Sequence, residues 1–428
     1  MAKEKRKESE AQEGFHVRFN LPGLVVFSVS LILATGLLSL ALEHPLDRLG
    51  SRLFAHGVSA SPSLADDSPP DEVPPWGELI AQEVEIECPE EYLSSEAITN
   101  KAPTWTFEGM KPEQVRALML ACGLTAQQVE HALSPQLALL KGTNTIIKPD
   151  EELVFSLAPD TRGKLYAKLA RNPANTYMCF PFCFPGESFD NVVHESGMND
   201  GTVAMLRSLL YRRGDALLFS DFEAAARRAP AGEQRLQLLK ALTHQPAVIA
   251  RLRIRPTTDI DKVLGYWAWA PGVRSADTRS LLESLKNLPD GGSVSLLYLL
   301  PPFARERLYS FPLPMQPDAP FMDCHWSTLN FFNETPDNRF ADANYVGSYL
   351  TAKYNRVARP THYGDLILLM NDKGQAVHSA VYVADDIVFT KNGGSFEQPW
   401  MLMRLKKLMA AYSAAGTGQV VCFRNKNT

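Results

Sequence analysis

The chain has 428 residues, a formal net charge of -5, 45% hydrophobic and 21% charged residues. This is globular material with room for two modest domains beyond any tail. The slightly acidic balance argues against nucleic-acid binding, which wants a basic face.

Residues 1–20 form a basic tail carrying Lys3, Lys5, Arg6, Lys7 and Arg18. Leu21 to Leu42 then runs without a charge and is long enough to cross a bilayer core as a helix. No clean small-x-small site follows it, so an uncleaved signal anchor is expected ahead of a cleaved signal peptide. The basic flank orients the tail inward. The expected setting is a single pass through a bacterial inner membrane, with everything after Leu42 on the periplasmic side. Residues 43–79, rich in Pro, Ser and Asp, read as an extended linker.

Residues 80–175 are expected to be mainly helical. Lys111-Pro112-Glu113 and Ala158-Pro159-Asp160 place proline in a first turn, and Thr125 to Gln128 fits a capping box. No chemistry is evident there. His131 reads as a surface or half-buried helix residue, and the region as a packing module or the site of a protein partner. Residues 176–290 alternate helix and strand. Ser220-Asp221-Phe222-Glu223 reads as a second capping box, and AVIARLRIR as a strand that puts Arg251, Arg253 and Arg255 on one solvated face. His194-Glu195 beside Asn191 forms a polar cluster, read as loop capping rather than as a site.

Residues 291–428 differ in character. SVSLLYLL reads as a strand bounded by Gly291-Gly292 and Pro301-Pro302. A helix starts near Cys324, and DANYVGSYLTAKYNRV reads as a second one. YGDLILLM, AVHSAVYV and DIVFTK read as three strands, the last two joined at Asp385-Asp386. WMLMRLKKLMAAY is expected to be a helix and QVVCFRN a closing strand. The fold class is therefore α+β, a cysteine-bearing helix set against an antiparallel meander.

The cysteines are Cys88, Cys122, Cys179, Cys183, Cys324 and Cys422, with no pair of CxxC units, which argues against a zinc ribbon. Cys179 and Cys183 suit either a local disulfide in an oxidising compartment or two small buried side chains. Cys324 differs from the others in its surroundings. A thiol at a helix start is favoured as thiolate by unpaired N–H groups, and an imidazole can serve it as base. His378 opens a strand. In a hairpin turning at Asp385-Asp386, Thr390 and Asn392 share its face, so either can orient the ring. Asn392 is preferred because its carbonyl accepts from a ring N–H and it lies almost directly across from His378. His362 is the rival base. His325 is expected to point elsewhere on the helix. No metal or cofactor is called for.

Asp323-Cys324 at a helix start, Gly364-Asp365-Leu366-Ile367 entering a strand, and His378-Ser379-Ala380-Val381-Tyr382-Val383 in the next resemble the NlpC/P60 family of papain-like cysteine peptidases. The resemblance covers the stretch from about residue 291 onward. It implies a papain-like domain with Cys324 as nucleophile, His378 as base and a third residue at or near Thr390. It also implies hydrolysis of amide bonds in peptidoglycan peptides, outside the cytoplasm and without metal. The family commonly has Ser-Gly after the cysteine and a third histidine; here His325-Trp326 and Thr390 or Asn392 stand in those places. The competing reading is an inactive envelope scaffold or binding protein built on the same domain.

Overall fold

The computed structural model describes residues 73–428 except 173, 185–187, 214–215, 269–274, 314–321, 372–373 and 413–416. Leu21–Leu42 and all but the end of the expected linker lie outside the described residues. Among the described residues, no helix is long and apolar enough to cross a membrane. Trp76, inside the expected linker, is buried, and its carbonyl accepts a hydrogen bond from Trp267 Nε1 at 2.9 Å. Strand β1 (Glu78–Ile86) follows.

Residues 88–242 then close on a core of their own around Trp105, Tyr166, Phe219 and Phe222. The helical expectation for residues 80–175 is half right. Helices Pro112–Cys122, Ala126–Ala132 and Pro159–Leu169 form, with proline in the first turn of the first and third. Thr125 and Gln128 cap each other reciprocally. But β2 (Trp105–Phe107), β3 (Ala138–Lys141) and β4 (Asn144–Ile147) make a small antiparallel sheet in the order β2-β4-β3. Strands of three or four residues are too short to show an alternation, and Gly142, at φ +62°, supplies the hairpin turn. A second small sheet, β5 (Phe182–Phe184), β6 (Tyr211–Arg213) and β7 (Ala216–Phe219), has the order β5-β7-β6.

The expected capping box at Ser220 does not form. Helix Phe222–Arg228 begins there, but Asp221 makes no side-chain cap. Its carboxylate instead accepts from the Tyr166 hydroxyl and lies 3.0 Å from Arg162 Nε. Arg162 is fully buried and also donates to the carbonyls of Val154 and Ser208. Burial, partly offset by Arg162, pushes the Asp221 carboxyl up to about 6.

Strand β8 (Gln245–Ile254) pairs antiparallel with β1 along its length, from Glu78 opposite Arg253 to Ile86 opposite Gln245. The 88–242 unit is thus inserted between two adjacent strands, and the cores do not follow boundaries near 175 and 290. β9 (Gly292–Ser295) completes the sheet in the order β1-β8-β9. SVSLLYLL is a strand only at its start. The Ser295 hydroxyl accepts from Leu297 N, and Leu296–Leu299 coils into a 3-10 turn. The alternating arginines stitch this sheet: Arg251 to Ser293, Arg253 to the Asp290 carbonyl, and Arg255 to Glu78.

After helix Cys324–Leu329 and helix Ala343–Lys353 come β10 (Tyr354–Val357), β11 (Leu366–Asn371), β12 (Ala376–Ala384), β13 (Ile387–Lys391), β14 (Trp400–Arg404) and β15 (Thr417–Asn425). They form one antiparallel sheet in the order β10-β15-β11-β12-β13-β14. One face packs Leu366, Leu368, Val381 and Phe389 against Trp326, Val346 and Leu350 of the two helices. The other packs Ile367, Ala380, Tyr382 and Met401 against Leu405 and Leu408. Two helical expectations are corrected here. Tyr354–Val357 is a strand rather than the end of a helix, and helix Leu405–Tyr412 starts only after Trp400–Arg404, which pairs with β13. A strand buried on both faces is apolar at every position, so WMLMR carries no period of two. The α+β class holds, with antiparallel pairing in every sheet.

Candidate active site

Cys324 is the first residue of its helix. Asp323 caps that helix, its carboxylate accepting from Trp326 N at 2.8 Å. The Ser327 hydroxyl donates to the Asp323 carbonyl at 2.7 Å and accepts from Trp400 Nε1 at 2.8 Å. The helix start is therefore clamped to β14.

Two imidazoles reach it. His378, fully buried on β12, stacks on Tyr412 with ring centroids 4.2 Å apart. Its Nε2 lies 2.8 Å from Thr390 Oγ1, and Thr390 donates onward to Asn392 Oδ1 at 3.2 Å. Its Nδ1 is buried without a hydrogen-bond partner among the described residues. The charge of the His378 ring lowers the Cys324 thiol.

His325 is the second, and here the expectation is corrected. Rather than pointing elsewhere, its Nδ1 lies 3.0 Å from Ser379 Oγ, and the ring interacts electrostatically with the Cys324 thiol and the Ala376 backbone. The helix is only six residues long, so its first turn lies against β12 and the side chain after the cysteine meets that strand. No spacing rule marks this; the adjacent Cys-His pair was the available signal.

The electrostatics single out one thiol. Burial pushes Cys88 and Cys422 up to about 12 and Cys179 up to about 11, and raises Cys122 and Cys183 as well. Burial acts on Cys324 in the same direction, but the charges and hydrogen bonds of His325 and His378 outweigh it and hold this thiol well below its ordinary value. Burial pulls His325 down. The Cys324 thiolate, Asp323 and the Ala376 backbone more than reverse this and raise it to about 9.

The choice of third group is also sharpened. Thr390, not Asn392, touches His378. The β12–β13 pairing, with Val381 opposite Phe389, extrapolates to Asn392 across from His378, but β13 ends at Lys391. Asn392 therefore acts one bond further back. His362 is exposed and bonded to Thr361, away from the thiol. The Gly364-Asp365 signal is structural: Asp365 accepts from Thr361 N, His362 N and Arg424, closing the turn into β11. His194 is exposed and does not line the site.

A cleft of about 560 Å³ opens in front of Cys324 and His325. Its floor is built by Leu329, Phe340, Val346, Leu350, Leu366 and Leu368. The inserted unit supplies the facing wall through Arg171, Cys179, Phe180, Phe182, Cys183 and Arg213. Cys179 and Cys183 are both free thiols. Tyr177 of that unit also feels the charge of the buried Glu397, which, behind burial itself, raises its hydroxyl. Fully buried Lys391 donates to the carbonyls of Gly393 and Ser395, which fixes the loop bordering the cleft. Among the described residues, no three potential metal-ligating side chains cluster.

No family model, curated protein or solved structure matches the chain.

Proposed function

We propose that the chain is a cysteine hydrolase that cleaves amide bonds through Cys324. The observation that carries this reading is one thiol, held well below its ordinary value by two imidazoles, lining a cleft. A thiolate paired with imidazolium is a ready nucleophile.

In this reading the Cys324 sulfur attacks the amide carbonyl carbon. The oxyanion meets the backbone N–H groups at the helix start and the protonated His325 ring. The C–N bond breaks, and His378 gives its Nδ1 proton to the departing amine, leaving a thioester on Cys324. Water then attacks the thioester carbonyl and passes a proton to His378. The C–S bond breaks, releasing the carboxylic acid and restoring the thiolate–imidazolium pair. Thr390 holds the His378 ring in register from behind, the orienting role of a third triad member.

The cysteine-first helix packed on an antiparallel sheet supports a papain-like domain of NlpC/P60 type, and with it a cell-wall peptide as the carrier of the amide. The basic tail and the uncharged Leu21–Leu42 stretch support an inner-membrane anchor with the site on the periplasmic side. The test is single-turnover mass spectrometry of the full-length protein with a chromogenic amide. An acyl adduct on Cys324, absent in Cys324→Ala, supports the reading. A wild-type protein that turns over no amide and forms no adduct refutes it in favour of a scaffold.

A further inference from the structure

We infer that the acyl half of the scissile amide is a long aliphatic chain, seated on the apolar floor that runs from Cys324 between helix Ala343–Lys353 and β11. The inference rests on the cysteine-hydrolase chemistry above and takes an N-acyl amide, rather than a cell-wall peptide, as its substrate.

Two elements each turn one periodic apolar face to the same space. Val346 and Leu350 are four apart on their helix, and Leu366 and Leu368 are two apart on their strand. All four belong to the core, 2–4% exposed, and show an edge to the cleft that also holds Cys324 and His325; Phe340 and Leu329 extend this apolar side. The charged cleft residues lie elsewhere: Arg171 and Arg213 on the inserted unit, Asp323 beside the thiol and Glu397 in the bordering loop.

The backbone of this floor has little to offer a peptide. β11 and β12 are interior strands, each hydrogen-bonded to a neighbour on both sides. The carbonyls of Gly393 and Ser395 in the bordering loop already accept from Lys391. A peptide main chain laid on the apolar side, away from Gln375, Ser379, Asn392 and Gln398, would leave N–H and C=O groups unpaired, which is costly. A polymethylene chain makes no such demand and gains from every group it buries. A volume of about 560 Å³ is within the range of small-ligand pockets.

The experiment uses the full-length protein and p-nitrophenyl esters of acetate, hexanoate and decanoate, with kcat/KM and the mass of the Cys324 adduct as readouts. The expected result is a gain of about fourfold in kcat/KM per added methylene until the floor is filled. Val346→Trp should lower the decanoyl-to-acetyl ratio at least about tenfold. Ala343→Phe, at a half-exposed cleft position, gives the same comparison if the first variant does not fold. An acetyl ester that acylates Cys324 with no dependence on chain length overturns the aliphatic-chain inference and leaves the hydrolase standing. No adduct with any ester overturns both.

Discussion

Thr390 Oγ1 stands between two partners, 2.8 Å from His378 Nε2 and 3.2 Å from Asn392 Oδ1. A hydroxyl can accept from one and donate to the other, so a single Thr transmits the amide's orientation to the imidazole. Thr390→Val keeps the shape and removes both bonds. Its expected effect is a loss of about 10- to 100-fold in kcat, the scale of losing a supporting partner behind a functional histidine. Asn392→Ala should cost only a few-fold, since Thr390 still accepts from the ring. Equal losses in the two variants would argue against this order of contacts. Steady-state kinetics at fixed pH decides.

His325 is expected to shape the alkaline side of the pH profile. His325 is raised to about 9, so its charge is present below that pH and disappears as pH rises through it. If that charge stabilises the oxyanion, kcat/KM falls on an alkaline limb near pH 9. His325→Gln should lower kcat by roughly 10²- to 10³-fold, the cost of one oxyanion donor, and abolish that limb. It should also move the thiol upward, seen as slower alkylation at pH 6. A variant that retains the alkaline limb would remove His325 from the mechanism.

In the inserted unit, Arg162→Met leaves the Asp221 carboxylate buried without its cation. The expected destabilisation at pH 7 is about 3–5 kcal/mol. Asp221 already titrates at about 6, above the unfolded carboxylate value, so the folded state holds its proton more tightly. Such a group lowers stability as pH rises through that window. Without Arg162 the folded value rises further, and the deficit should shrink as pH falls from 7 to 5. Thermal melts at the two pH values test this; a deficit that grows on acidification would contradict it.

The legible parts of this chain were those with local chemistry. Thr125 and Gln128 cap a helix because the capping box is a contact between neighbours, and the hairpin at Asp385-Asp386 places His378 and Thr390 on one face because strand parity is local. What was hidden depends on contacts distant in sequence. Trp400–Arg404 reads as part of a helix because burial on both faces erases the strand period. Asp221 reads as a cap, but its partners are Tyr166 and Arg162. His325 reads as a bystander because only the packing of its helix on β12 brings Ser379 beside it. The insertion of 88–242 between β1 and β8 has no local marker.

Site-resolved alkylation tests the central claim most directly. Full-length folded protein is treated with iodoacetamide at pH 6, and each cysteine is followed by peptide mass. The prediction is rapid labelling of Cys324 while Cys88 and Cys422, pushed up to about 12, stay unmodified. His378→Gln should slow the Cys324 reaction at that pH, because one of the two imidazoles holding the thiolate is gone. If Cys324 instead labels no faster than Cys422, it is an ordinary buried thiol and the proposed chemistry is wrong.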